Sequence, residues 1–412
     1  MSSAPVDLAS PSMIADPFAE FSRIRELGPL VDAELPGVGT VRLVTRYEDV
    51  KSVLSDTRFV VNVANVPGGE VEDLTTQSLR ARNFPPEYDR YLLASILDAD
   101  GADHTRLRRL VSRAFTVRRI ADLRPRVAEL TEQLLDRMEA AADGGEADLL
   151  AEFAYPLPIT VICELVGIPE ADRSHWRDWS SAMASPTGEG AGEAMREIVG
   201  YCKDLIERRR GEPADDLTSA LVEAQGNDQL SEDELITFIL ALVLAGHETT
   251  ANLIANGTFA LLTHPDQFAL LRENPELAPR ATQELLRYCS PILGTKMRYA
   301  TEDVELAGEL IRKGEAVMAV PAGANHDPRR FPEPGKLDIT RESDGPRETH
   351  VAFSHGIHYC LGAALARQEG EVAFAALTRR YPGLRLAVAP EDVERPDIPT
   401  VWRLTALPVR LR

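Results

Sequence analysis

Phe353-Ser354-His355-Gly356-Ile357-His358-Tyr359-Cys360-Leu361-Gly362 is the stretch on which the reading of this chain turns. Cys360 stands just before an apolar-periodic run, residues 361–381, that reads as a helix. A helix N-terminus presents free N–H groups and positive partial charge. Both favour a thiolate and lower its pKa. Gly356 permits a tight turn, and Gly362 permits close backbone approach to a flat group. An anionic sulfur held in this way suits an axial iron ligand. Two other readings stand beside it. A lone cysteine is commonly a small buried hydrophobe. His355, His358 and Cys360 could also begin a zinc site, but zinc takes four ligands, or three and a water, and no fourth stands at a fitting spacing.

Away from this stretch the composition excludes whole classes. Cys163, Cys202 and Cys289 are far apart and form no C-x-x-C pair, so no secreted disulfide framework is expected. The 412 residues include 65 Asp+Glu against 45 Lys+Arg, a formal net charge of −20. Such a surface repels nucleic acid phosphates and anionic membranes, so neither is expected as a partner. Hydrophobic residues at 44% and charged residues at 27% are globular proportions. A chain of this length can bury a core without disulfide or metal staples. Residues 1–11 lack the basic and apolar regions of a signal peptide. The longest apolar run, 235–246, is short for a membrane span and leads into His247 and Glu248. A soluble, cytoplasmic chain is expected.

Helical periodicity dominates: 47–54, 104–115, 120–142, 153–166, 193–210 and 361–381. Ser231-x-x-Glu234 has the form of a capping box and opens a helix reaching about residue 262. Pro279 is a plausible first position for a helix ending at Tyr288. Short strands are expected at 40–44, 295–299, 304–306 and 316–320. Residues 63–103 and 321–359 read as long irregular stretches, which are often functional. No repeat or linker stands out. The expectation is a mainly α, single-domain chain with a small β portion and an N-terminal tail over about residues 1–14.

Three further clusters draw notice. Glu284-x-x-Arg287 places two opposite charges on one helix face, as many plain surface pairs do. Ala245-Gly246-His247-Glu248-Thr249-Thr250 interrupts the longest helix with a glycine and two β-branched residues, which cost helix stability. That local violation marks either a functional site or a helix–helix contact through small residues. His104-x-x-x-Arg108 shares a face of a basic helix, either solvated or binding.

The pattern Phe353-x-x-Gly356-x-His358-x-Cys360-x-Gly362 resembles the haem-binding loop of the cytochrome P450 family. The three clusters follow in family order, so the resemblance covers the chain from about residue 15 onward. Ser354 stands where the family often has Gly. Asn325-His326-Asp327-Pro328 stands where it usually has Asn-Arg-Asp-Pro. The resemblance implies a cytochrome P450 fold with the long central helix over haem b (iron protoporphyrin IX), and Cys360 as the iron ligand. It implies haem contacts from Phe353, Gly356 and Gly362, and propionate binding by His104, Arg108, Arg298 and His358. Ala245 and Gly246 would let haem and dioxygen approach. Thr249 and Glu248 would serve dioxygen activation and proton relay. Glu284 and Arg287, with Arg341, would form a structural triad.

The activity implied is that of a monooxygenase of the soluble bacterial type, which often tailors antibiotics and other secondary metabolites. Hydroxylation and oxidative C–N or C–C ring closure are both within its chemistry. No Gly-x-Gly-x-x-Gly follows a strand, so electrons from NAD(P)H would come through a ferredoxin and its reductase. Arg106, Arg109, Arg113, Arg118 and Arg119 form a basic patch, either a docking site for an acidic ferredoxin or a solvated helix face. Leu242, Ala245, Ile292, Leu293 and Thr295 are the expected pocket lining, for a medium-sized hydrophobic substrate. Arg80, Arg82 and Asn83 would hold its polar groups or face water. A Gly-rich stretch, residues 185–192, would be an open loop near the pocket. A monomer is expected. The contrasting class is a haem-binding sensor or carrier, which has no need of the Glu248–Thr249 pair.

Overall fold

Ser231 opens the longest element. Its hydroxyl accepts from the Glu234 N–H at 3.1 Å, and the Glu234 carboxylate accepts from the Ser231 N–H at 2.8 Å. This capping box satisfies two orphan donors and starts the central helix, Glu232–Thr263. By length and composition the helix could cross a bilayer, but most of that stretch is buried within protein. It packs along the helix Pro156–Val166 on one side and the cysteine helix Ala363–Arg380 on another. Two glycines set those distances. A Cβ on Gly246 would lie 3.0 Å from Ile162 Cγ1, and one on Gly257 would lie 2.5 Å from Phe374 Cζ.

The computed structural model describes residues 4–68, 71–112, 115–185, 188–226, 230–342, 348–396 and 400–412. Helices dominate. The β portion is a mixed six-stranded sheet in the order Val6–Asp7, Val31–Leu35, Gly39–Val44, Ala316–Ala319, Arg298–Ala300 and Phe59–Val60. Glu146–Asp148, Arg385–Leu386 and Pro408–Arg410 form a second sheet, and Val304–Leu306 pairs with Glu309–Ile311. This is the mainly α architecture with a small β part that the sequence predicts.

Three expectations need correction. Residues 4–14 are not a loose tail. Val6 and Asp7 pair with Ala33 and Glu34, and Leu8 and Met13 are buried. The strand expected at 295–299 lies three residues later, because residues 291–293 pair instead with the C-terminal turn. There Leu293 N–H donates to Thr400 O at 2.9 Å, and Trp402 N–H to Pro291 O at 2.7 Å. The cysteine helix begins at Ala363 with Gly362 as its N-cap, so Cys360 stands two residues before the cap.

Candidate active site

The cysteine loop is fixed by its backbone. Gly356 has φ +70°, and a Cβ there would come within 2.3 Å of Leu54 O, so only glycine fits. Ser354 also takes a left-handed φ of +65°, a conformation that costs a non-glycine residue about 1 kcal/mol. Cys360 N–H donates to Phe353 O at 2.9 Å, and Val351 N–H to Asn325 Oδ1 at 2.8 Å. The N–H groups of Gly362 and Ala363 point at the Cys360 sulfur. They and the nearby Arg108 charge pull the thiol down, but burial is the larger effect and pushes it up. The helix-end effect expected from sequence is present, and in the chain alone it is outweighed.

Tyr359 is held at both ends. Its carbonyl accepts from Arg108 Nη1 at 2.8 Å, and its hydroxyl donates to Glu348 Oε2 at 2.9 Å. Glu348 pairs in turn with Arg367, whose guanidinium lies 5.7 Å from the Phe353 ring.

A cluster of basic side chains gathers beside this loop. The His104 and His358 rings are 4.6 Å apart, and Arg298 is buried next to them. Burial pulls Arg298 down to about 10, and burial with the surrounding positive charges pulls His358 down to about 3. His104 Nε2, His358 Nε2 and Arg298 Nε are buried without a hydrogen-bond partner. Asp100 is the carboxylate whose charge reaches His104 and Arg298. Its oxygens already accept from Val61 N–H at 3.0 Å, Asn62 N–H at 3.0 Å and Asn65 Nδ2 at 2.9 Å. Buried polar groups are ordinarily satisfied. Three unsatisfied ones around concentrated positive charge suit an anionic group from outside the chain.

Polar side chains interrupt the apolar run at the middle of the central helix. Ala245 is exposed and Leu242, Glu248 and Thr249 are half-buried, while Val243 and His247 are buried. Thr249 Oγ1 donates to Ala245 O at 2.8 Å, and Thr250 Oγ1 to Gly246 O at 3.4 Å. His247 Nδ1 is 2.6 Å from Val243 O, and its Nε2 is 2.9 Å from Tyr155 Oη. A carbonyl only accepts, so Nδ1 carries the proton and Nε2 accepts from the tyrosine. Side chains one turn on thus engage three helix carbonyls, while the helix runs unbroken from Glu232 to Thr263. Glu248 Oε1 meets Arg403 Nη1 at 2.7 Å.

Behind the cysteine loop lies a buried charge network. Arg287 Nε and Nη2 each donate to a Glu284 oxygen at 2.8 Å, and Arg341 Nε donates to Glu284 Oε1 at 3.2 Å. Arg287 Nη1 also donates to Asn325 O at 2.9 Å and Pro334 O at 2.8 Å. The triad therefore holds an irregular loop by its carbonyls. His326, at a departure from the family pattern, stacks on Phe18 with ring centroids 4.8 Å apart.

Comparison with known proteins agrees with this geometry. A family model described as cytochrome P450 matches residues 174–404. The 6-deoxyerythronolide B hydroxylase of Saccharopolyspora erythraea is 42% identical, across 98% of this chain and 98% of its own. The chain belongs to the cytochrome P450 family. The P450 monooxygenase PikC of Streptomyces venezuelae is 42% identical over 97% of this P450 and 92% of its own length. The solved structure of the tirandamycin C-bound P450 monooxygenase TamI superposes with a TM-score of 0.88 at 39% identity. It covers 99% of this chain and 100% of that one. This P450 is accordingly a monooxygenase of the haem-thiolate, dioxygen-using class, related to bacterial enzymes of natural-product tailoring.

The residues present fit a haem. The loop offers a sulfur beside two N–H groups, and the three unpartnered basic groups match a carboxylate-bearing ring. Zinc has no such support: among the described residues no three His, Cys, Asp or Glu side chains come together as a metal site. Several site expectations change. Gly246 faces Ile162 and lets the two helices approach closely, and Ala245 lies on the open side. Leu293 is buried in the core, and Ile292 bridges to Val401, so both help hold the C-terminal turn. Thr295 spends its hydroxyl on backbone carbonyls. The basic patch is largely neutralised: Arg106 pairs with Glu234, Arg118 with Asp122 and Arg119 with Asp215. Arg109 is exposed, and Arg113 lies outside the described residues. Of the loop at 185–192, residues 186–187 also lie outside them.

Arg80 and Arg82 do not simply face water. Arg80 pairs with Asp89, and Arg82 is half-buried, donating to Met183 O at 2.6 Å. Arg403, Tyr155 and the Tyr359–Glu348–Arg367 chain were not foreseen. Their partners are far away in sequence, and no local spacing announces them. His247 alone had a signal, as a polar ring on the buried face of an apolar helix.

Proposed function

We propose that the whole 412-residue chain is one catalytic unit that holds haem b through Cys360 and oxidises a medium-sized hydrophobic small molecule of bacterial secondary metabolism. The observation that carries this reading is the meeting of the Cys360 loop with the unpartnered His104, His358 and Arg298 groups. Arg298 and the remaining donors of Arg108 would neutralise the haem carboxylates, and the neutral His104 and His358 rings would hydrogen-bond them. Bound haem supplies dioxygen activation and transfer of one oxygen atom to substrate. The Gly362 and Ala363 N–H groups would favour the Cys360 thiolate once haem is bound, against the burial that raises the free thiol. Phe353 and Gly356 shape the loop beneath it.

On the other side, Ala245 and Leu242 give substrate an apolar wall beside Thr249. Thr249 Oγ1 can turn from Ala245 O to donate toward the reacting oxygen, and Glu248 resupplies the proton. Displacement of water by an apolar substrate keeps that proton path from leaking. Hydroxylation is the default outcome, and oxidative ring closure uses the same residues.

Electrons enter from NAD(P)H through a ferredoxin and its reductase, consistent with the lack of any dinucleotide-binding motif in the sequence. Arg109 is the exposed cation left on the helix that carries Arg108. The protein acts as a cytoplasmic monomer. The test is oxygen uptake by purified holoenzyme given NAD(P)H, with and without an added ferredoxin and ferredoxin reductase. Uptake only with both partners is expected. Uptake with NAD(P)H alone would overturn the external electron supply.

A further inference from the structure

Glu248 links two cations from distant parts of the chain: it pairs with Arg403, and its charge reaches Arg82. Glu248 stands on the central helix, next to Thr249. Arg403 comes from the C-terminal turn, which residues 291–293 hold in place through backbone bonds and the Ile292–Val401 bridge. Arg82 follows the helix Leu74–Ala81, and its guanidinium reaches across to the end of the helix Arg173–Met183. Glu248 is the acid whose charge reaches Arg82. That acid is already engaged, in its 2.7 Å pair with Arg403. The group therefore holds two cations against one anion.

Arg82 is the uncompensated member. Its Nη2 donates to Met183 O at 2.6 Å and to Ser185 O at 3.3 Å, both neutral acceptors. Its Nε is buried without a partner. The guanidinium lies 5.1 Å from the Phe84 ring. Burial lowers its pKa, so the position costs the charged form stability. A strap between two carbonyls needs no charge, since a neutral glutamine would bond them without that desolvation cost. A half-buried cation retained against this cost, with a donor to spare, is suited to an anion that arrives with the ligand.

We propose that Arg82 is a specificity-determining residue of this P450, and that its substrate carries an acidic group, a carboxylate or an enolate, which Arg82 binds in the wall of the substrate cavity. The proposal rests on the reading of the face around Ala245, Glu248 and Thr249 as the substrate site. Arg403 keeps Glu248 from taking the Arg82 charge for itself. The acidic group is thus fixed at a distance from the reacting carbon, and the apolar remainder of the molecule lies along Leu242 and Ala245.

The test uses holoenzyme and matched probes: straight-chain carboxylic acids of eight to fourteen carbons and their methyl esters, measured by titration calorimetry. Binding of the acids about ten- to a hundredfold tighter than their esters is expected, the ratio for one charge-assisted hydrogen bond in a shielded site. R82Q should bring that ratio to about one, and R82K should keep part of it. Equal binding of acid and ester overturns the proposal. So does a ratio unchanged in R82Q, which would make Arg82 a strap only, or failure of every acid to bind. The calorimetric signal needs no haem band, and the reduced carbon monoxide spectrum of each variant reports haem ligation separately. Failure of this proposal is therefore distinguishable from failure of the haem-thiolate reading.

Discussion

Thr249 spends its hydroxyl on its own helix, at 2.8 Å from Ala245 O. A buried helix gains little from that bond, since threonine in a helix interior is already unfavourable. On the proposed mechanism its worth lies in a donor that can be turned toward the substrate. Thr249→Ala should therefore leave haem bound and the fold intact. Product formed per NAD(P)H consumed should fall by roughly a factor of ten, with hydrogen peroxide taking up the difference. Assay of peroxide and product against NAD(P)H checks this, and unchanged coupling would remove Thr249 from the proton path. At this scale the sequence grouped residues that the structure brings together, His104 beside His358 and Arg108 on the Tyr359 carbonyl. Cys360, Gly356 and His358 share one loop, and His104 and Arg108 share one helix turn. Arg403 was not legible. It meets Glu248 across 155 residues, and an arginine in a C-terminal turn looks like any surface arginine.

At the scale of elements, the helix Ala278–Tyr288 shows how one pair organises what has no regular structure. Among the described residues of 321–359 there are only short helical turns, yet carbonyls of this segment are collected by Arg287 and Arg341. Arg287→Ala would strip Glu284 of its bidentate partner and leave a buried carboxylate poorly compensated. A loss of about 3–5 kcal/mol is expected, read as a lower denaturant midpoint with weakened haem retention. A variant as stable as the parent would show that the loop is held by other means. The spacing of Glu284 and Arg287 announced the pair, but backbone carbonyls carry no side-chain signature, so the loop it holds could not be read. The strand near residue 298 was misplaced for a related reason. Gly294 lies against Met318 Sδ, where a Cβ would come within 2.6 Å, and the residues before it pair with the C-terminal turn. Apolar alternation marked the segment but not its partner. Gly246 shows the opposite case, a glycine whose motif points to the cofactor and whose neighbour within the protein is Ile162.

For the whole molecule, buried titratable groups set a pH window. Burial holds His326 and His350 down to about 3, whereas the unfolded chain protonates them near 6.5. Below about 6.5 the unfolded state binds more protons, so stability falls as pH drops toward 3. Glu369 acts from the other side. Burial raises it to about 8, so the folded state keeps a proton that the unfolded state releases near 4.3, and stability falls as pH rises toward 8. The thermal midpoint should therefore peak near pH 6, and Glu369→Gln should flatten the alkaline side alone. A midpoint that is flat, or an alkaline limb unchanged in that variant, would contradict this. Net charge and composition had excluded nucleic acid and membrane partners from the expectations, but could not locate these groups, because burial is a property of the folded whole. The central claim is that Cys360 ligates haem iron. Its most direct test is the absorption spectrum of the purified protein, reduced and exposed to carbon monoxide, beside that of Cys360→Ser. A strongly red-shifted Soret band in the parent, lost in the variant, is predicted. A band at the position of histidine-ligated haem, or one that survives in the variant, would contradict the claim.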